Sequence, residues 1–418
     1  MSNIKVRSGR SSLFLSFCLI YISIAPLIYG QSKNPTITIK GNTRTTTSYL
    51  NSIVENCLEN QSAGEQVPID TQKVQECVLN TKLFSRVDVS HENDILEVEI
   101  QDRWTLIPVP IVVSEKGKDT SYGALLMENN FLGSGKKLVV GGTMSKTNNF
   151  MVLMVEDPSI SFSDWSMKFM GGQSHKTLEA YEEDRITDGM DLDSRFYSTS
   201  LGYQFNNHFK SALQLSFNQL NFDTFEDYNP PEDVSIISAG LTAKMDFSNY
   251  RFYYQEGFSA DLKYLENINR SDKADFTKTF ALKMNWQMET FNEQALQFGF
   301  SGGGIQNADR RSAIRLGSKN GFRGVPGGGA WSKAYYALST DYQIPVLCSE
   351  KGTWTIAPFI DSGFLIQQVD NKTVNYHSYG IGSYFFLKKI AIPGIGLIIG
   401  TNTEYQENFF KFTIGFDI

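Results

Sequence analysis

Apolar and polar positions trade places with a period of two along most of this chain. Phe280, Leu282, Met284, Trp286 and Met288 interleave with Ala281, Lys283, Asn285, Gln287 and Glu289. Ile237, Ala239, Leu241, Ala243 and Met245 do the same, as do Leu213, Leu215 and Phe217, and Phe258, Ala260, Leu262 and Tyr264. Phe410, Phe412, Ile414, Phe416 and Ile418 alternate with Lys411, Thr413, Gly415 and Asp417 at the end of the sequence. Successive side chains of a strand point to opposite faces, so each stretch predicts a strand with one apolar and one polar face. Short turns at 206–208, 247–251 and 290–293 separate long loops at 175–193, 222–233, 266–275, 305–331 and 368–377. That rhythm, with about sixteen strands by hairpin count, is the one expected of a transmembrane β-barrel. A soluble β-sandwich also alternates, and the leader, strand lengths and aromatic content favour the barrel.

The pattern changes before Arg103. Thr36 to Lys40 is β-prone and stops at Gly41-Asn42; Tyr49, Leu50, Ile53, Val54, Cys57 and Leu58 then recur at helical spacing. Asp70 is placed to cap a second helix carrying Val74, Cys77 and Val78. Val87 and Val89, then Leu96, Val98 and Ile100, predict two strands around 91–94. Residues 35–103 are therefore expected to form a βααββ module, and residues 104–418 a barrel.

Ahead of the module, Lys5, Arg7 and Arg10 precede an apolar run over 13–28, with a cleavage point after Gly30. Residues 1–30 read as a signal peptide. No later run is long and apolar enough for a spanning helix, so membrane entry requires a closed barrel. In an oxidising compartment Cys57 and Cys77 could pair or stay as buried thiols. The formal charge of -7 leaves no basic footprint for nucleic acid, and the 4 histidines are scattered without metal-ligand spacing. No nucleophile–base pair or phosphate-binding glycine loop stands in suitable context, so neither catalysis nor a cofactor is expected.

The stretch NGFRGVPGGGAWSKAYYALSTDYQIPV at 320–346 sets one cation among glycines: Gly321, Phe322, Arg323 and Gly324, then Gly327, Gly328 and Gly329. Glycines permit close approach, so the loop reads either as one that folds into a cavity or as a flexible exposed surface loop. In the strand that follows, Tyr336, Leu338, Tyr342 and Ile344 share one face and Ala337, Ser339, Asp341 and Gln343 the other.

Two resemblances follow from motifs. ITIKGN, NTKLFSRVDV and the βααββ order resemble a POTRA domain, which implies a periplasmic module with a strand edge open to an unfolded chain. FRG in the long loop before the twelfth strand, Phe359-x-Asp361-x-Gly363, and NNFLGSGK resemble the BamA/TamA outer-membrane assembly superfamily. This implies that Arg323 tucks inside the barrel to meet Asp361, with Phe359 and Gly363 on the same face. The chain departs from that pattern at Phe322, at Val325 and at its final Ile418.

The resemblance also implies a seam between first and last barrel strands that opens towards lipid. Pro108 and Pro110 remove two amide donors from LIPVPIVV, and the expected seam comprises them with Phe412, Gly415 and Phe416. The stretch 104–110 reads equally as a linker from the small module. The expected function is insertion or export of polypeptides at the bacterial outer membrane, with unfolded outer-membrane or secreted chains, membrane lipid and accessory factors as partners. A dedicated two-partner-type secretion pore and a passive diffusion channel are the alternatives.

Overall fold

Asp70 accepts hydrogen bonds from the amides of Gln72 (3.1 Å) and Lys73 (3.2 Å), starting the second helix of the module where its sequence allows. In the computed structural model, β1 (Thr36–Lys40), α1 (Thr47–Glu59), α2 (Thr71–Asn80), β2 (Phe84–Glu92) and β3 (Ile95–Asp102) form a three-stranded sheet of order β1-β3-β2 under two helices. The structure describes residues 35–59, 68–113, 120–146, 148–182, 185–272, 275–291, 293–317, 320–325, 330–368, 370–390, 394–404 and 407–414. The expected signal peptide lies outside them. The apolar stripe of α1 (Leu50, Ile53, Val54) packs with Val74, Val78, Phe84, Leu96 and Val98 in one core. A disulfide joins Cys57 to Cys77, resolving the two readings of those cysteines.

Asp102 fastens the β1–α1 connection by accepting from Thr43 N (2.6 Å), Arg44 N (2.8 Å) and Thr45 Oγ1 (2.6 Å). Burial pushes this carboxyl up, but the bonds from Thr45, Arg44 and Thr43 more than offset it and hold the carboxyl below its ordinary range.

The remaining strands are β4 (Leu106–Val113), β5 (Ser121–Phe131), β6 (Lys136–Met144), β7 (Asn148–Asp157), β8 (Trp165–Glu182), β9 (Arg185–Gln204), β10 (Phe209–Asp223), β11 (Val234–Tyr250) and β12 (Gln255–Arg270). They continue with β13 (Lys278–Glu289), β14 (Ala295–Gln306), β15 (Ile314–Leu316), β16 (Ala330–Cys348), β17 (Gly352–Gln367), β18 (Thr373–Leu387), β19 (Ile395–Asn402) and β20 (Glu407–Ile414). β4 to β20 form a closed barrel, seventeen strands among the described residues, in which β20 neighbours β4. β15 has 3 residues, and β14 still pairs with β16 directly, so the sixteen long strands make the wall.

The alternation decides the faces. Ile360 is 65% exposed while Asp361 beside it is 0%. Leu213, Leu215, Leu241, Phe280, Trp286, Leu338, Phe410 and Phe412 also stand exposed on the outside. So much exposed apolar surface is stable only in lipid. No helix among the described residues is long and apolar enough to span a membrane.

Several expected loops are shorter than their polarity implied. The loop expected at 175–193 is a continuation of β8 and β9, whose 18 and 20 residues make the longest hairpin. His175–Asp193 (2.9 Å), Thr177–Asp191 (2.6 Å) and Ser174–Ser194 (2.7 Å) bridge its two strands. Polar side chains satisfied across a ladder need no apolar face, so the period-two signal disappears while the strand persists. Likewise β12 runs to Arg270, β18 begins at Thr373, and β11 continues to Tyr250, so the turn expected at 247–251 begins only at Arg251.

The module sits against the near-end turns of the barrel. Thr46 N donates to Gly133 O (2.9 Å), Asn130 Nδ2 to Thr45 Oγ1 (2.9 Å), and Gly135 N to Asn130 Oδ1 (2.8 Å). Gly135 has φ +67°, and a Cβ there would collide with the Tyr49 hydroxyl. The Asn-x-x-Gly-x-Gly turn is thus a socket for the start of α1. On another side, Tyr250 N donates to Asn80 Oδ1 (2.8 Å), and Arg251 bridges Glu76 (3.2 Å) and Glu256 (3.0 Å). Trp104 N reaches Lys389 O (2.8 Å).

Candidate functional site

The connection between β14 and β16 turns into the barrel. Its tip buries Phe322 completely against Tyr376 (ring centroids 4.9 Å) and Tyr335 (5.9 Å). Phe322 N donates to Gly317 O (3.2 Å) and Val325 N to Phe322 O (3.4 Å), closing the tip as a tight turn. At Gly321 a Cβ would lie 2.9 Å from that of Ala337, so the loop backbone rests directly on β16. Gly327, Gly328 and Gly329 lie outside the described residues.

Arg323 is 1% exposed and meets two carboxylates. Its Nε donates to Asp361 Oδ2 (2.7 Å) and its Nη2 to Asp361 Oδ1 (2.5 Å). Nη1 and Nη2 donate to Asp341 Oδ1 (2.8 Å) and Oδ2 (3.0 Å). The planar fork thus serves one bidentate pair on each of two edges, a geometry that lysine cannot copy. Phe359 lies under the guanidinium, its ring centroid 3.8 Å from Cζ, and Ser378 Oγ donates to Asp361 Oδ2 (3.0 Å). Gly363 stands one inward position further along β17, opposite Ala337 and Tyr376.

Asp341 was missed as a partner. The alternation of β16 already turns it inward with Ser339 and Gln343, and the cluster of one cation with two carboxylates could have been sought there. The next contact had no sequence signal. Gly324 has φ +83°, and a Cβ there would run into the Phe409 ring on β20 and come within 3.2 Å of Asn402 Cβ. Phe409 in turn lies 6.4 Å from Phe359. Loop tip, β17 and the last strand therefore share one packed contact.

Of the expected seam residues, Pro108 and Pro110 lie within β4, so the strand starts at Leu106 and the linker reading of 104–110 shrinks to its first residues. Both prolines are exposed while Ile107 and Val109 are buried. Phe412 is exposed on β20. Gly415 and Phe416 lie outside the described residues. No group of three or more His, Cys, Asp or Glu among the described residues could hold a metal ion.

At the end of the barrel away from the module, the same connection carries a second charged cluster. Arg270 pairs with Asp272 (2.8 Å) and Asp309 (3.1 Å), and Arg311 with Asp272 (2.7 Å) and Asp309 (2.8 Å). Arg310 pairs with Asp188 of β9. Burial pushes the Asp309 carboxyl up, but hydrogen bonds from Ser312, Arg270 and Arg311 bring it down to about 2.

No protein-family model matches the chain, and no curated protein matches its sequence. Solved structures do. BamA from Haemophilus ducreyi lacking POTRA domains 1–3 overlaps with a TM-score of 0.55 at 14% identity, covering 90% of this chain and 83% of that one. CdiB from Escherichia coli overlaps with a TM-score of 0.59 at 11% identity (91% and 74%), and CdiB from Acinetobacter baumannii with 0.53 at 10% (91% and 73%). At these identities the likeness is one of fold: this chain has the fold of the BamA and CdiB barrels.

Proposed function

We propose that this chain is an outer-membrane barrel of the BamA/TamA superfamily, inserting or exporting polypeptides through the seam between β4 and β20, with a POTRA-like module in the periplasm. The observation that carries the reading is the contact chain from Arg323 through Phe359 to Phe409. It ties an internal loop to the last strand, which a passive pore has no use for. Support also comes from the seam itself. β4, on one side of it, contains two prolines, Pro108 and Pro110. A proline has no amide hydrogen to give to a ladder, and in lipid water cannot replace the missing bond. Energy for the process comes from the client: strands pairing at the opened seam gain hydrogen bonds and bury apolar faces, without nucleotide or cofactor.

A dedicated export pore for one partner is the second reading. The overlap with CdiB favours it. Depleting the protein and quantifying the outer-membrane and secreted proteomes separates the two. Broad loss of barrel proteins marks a general insertase, and loss of one surface or secreted protein marks a dedicated exporter. No change in either fraction would sink both.

A further inference from the structure

The lumen carries a feature that the proposed function does not use. On the wall from β6 to β13, near the module, the inward positions hold a belt of lysines. Lys137 (3.6 Å) and Lys168 (3.9 Å) share Glu156, Lys244 pairs with Asp246 (2.9 Å), and Lys283 lies opposite Asp261. Lys210 and Lys263 have no ion-pair partner among the described residues. That is six cations to three carboxylates, in a chain whose formal charge is -7. Lys210 and Lys244 are moreover direct cross-strand partners. Like charges opposite one another destabilise a sheet, so the arrangement costs stability and calls for a ligand.

The module contributes to the same space. Lys82 stands 5.5 Å from the Tyr250 ring centroid, and Arg103 donates to the Tyr250 hydroxyl (2.9 Å). Burial lowers the Lys82 ammonium below its ordinary range; Lys244, Lys137 and Arg103 add to the lowering and Asp246 opposes it. The cations of module and barrel wall thus act on one another.

We propose that this belt is a binding surface for an acidic stretch of extended polypeptide passing through the near end of the lumen. Its shape selects that ligand. The cations come from six strands of the wall between β6 and β13, more positions than one phosphate or other small anion would engage. Seven strand spacings of about 4.8 Å give an arc of roughly 34 Å. An extended peptide of about ten residues spans that length at ~3.3 Å per residue. The inference names a client property and rests on the proposed function.

The test uses the purified full chain in detergent micelles and a fluorescent decaglutamate peptide, with decalysine and a Gly-Ser decapeptide as controls. Decaglutamate should bind, with affinity falling steeply as salt rises, and the controls should not. The K210Q/K244Q/K263Q variant should bind at least tenfold more weakly. Its heat-denaturation midpoint should stay close to that of the native chain, because relief of the Lys210–Lys244 repulsion offsets loss of the Lys244–Asp246 pair. As a second measurement that leaves most of the belt intact, Lys263→Cys in a Cys348→Ser background should be protected from a maleimide by decaglutamate.

Absent binding, equal binding by the triple variant, absent protection, or complete displacement by millimolar inorganic phosphate would overturn the proposal. The last outcome would make the belt a small-anion site. If depletion leaves both proteomes unchanged while decaglutamate still binds, the proposed function falls and the belt stands. The reverse pattern removes only the belt.

Discussion

Replacing Arg323 by methionine tests the internal loop most directly. Methionine keeps an apolar stem over Phe359 but removes all four hydrogen bonds and leaves Asp341 and Asp361 facing each other in a buried site. Removing one partner of a buried ion pair costs about 3–5 kcal/mol, because the remaining charge is stranded. The other main anchor of the tip is Phe322, whose burial is worth about 1.5–3 kcal/mol. The loss therefore rivals or exceeds what remains. The loop should undock while the barrel, held by its ladders, stays folded.

At ~1.4 kcal/mol per decade the ratio of docked to undocked loop falls by about two to three and a half orders of magnitude. Hydrogen exchange at the Phe322 and Val325 amides reads this change, since both bond only within the turn. Two companion variants sharpen the result. Asp341→Asn leaves Arg323 paired with Asp361 and should cost about 1–3 kcal/mol, less than R323M. The triple variant R323M/D341N/D361N removes the stranded charges and should recover part of the protection lost in R323M. Protection in R323M within threefold of native, or a triple variant no better than R323M, would refute the reasoning.

Other expectations are narrower. Gly135→Ala forces a side chain at positive φ into the Tyr49 hydroxyl, so the module should detach from its socket; faster exchange at the Thr46 amide, bonded to Gly133 O, is the readout. Asp309, whose carboxyl is depressed to about 2, contributes stability that is complete above its unfolded value near 4. That contribution is lost as pH falls through about 2, so proteolysis of the 307–317 segment by an acid protease should rise only below pH ~4 and should show no such step in Asp309→Asn. Cys57→Ser should lower module stability by about 2–4 kcal/mol, followed by denaturant titration of Trp104 fluorescence. Substituting Pro108 and Pro110 by valine should reduce seam opening in cross-strand cysteine trapping between β4 and β20, and unchanged trapping would dismiss the prolines as a cause of weakness.

What the sequence shows of this fold follows from where water and lipid enforce alternation. Within lipid every outward side chain must be apolar, so Leu213, Leu241 and Phe280 mark strand and face together. Beyond lipid that pressure ends. The hairpin from His175 to Asp193 therefore reads as a loop although it is a ladder, and only its cross-strand polar pairs would have revealed it. Helical stripes in the module are legible for the same reason: Leu50, Val54, Val74 and Val78 line one core. The disulfide was open because helical spacing says nothing of how two helices face each other.

The candidate site divides along the same line. Period two turns both Asp341 and Asp361 inward, but it does not say which cation reaches them across a loop of uncertain path. The motif resemblance pointed to Asp361 alone, whereas elementary electrostatics asks for more. A guanidinium presents two donor edges, and in a buried site both need acceptors. With Asp361 on one edge, a second inward carboxylate on a neighbouring strand is required, and β16 pairs with β17 so that Ser339 faces Asp361 and Asp341 faces Phe359. That register sets the two carboxylates on adjacent strands, one inward step apart, with Phe359 beneath the guanidinium. The resulting cluster sets two carboxylates around one guanidinium, and it is held beside the ring that touches the last strand. A shift of β20 large enough to move Phe409 must disturb the packing of Phe359 and Gly324, and through them the docked arginine. On the proposed function the loop's hydrogen bonds and a closed seam favour one another, and R323M is then expected to perturb the seam as well as the loop.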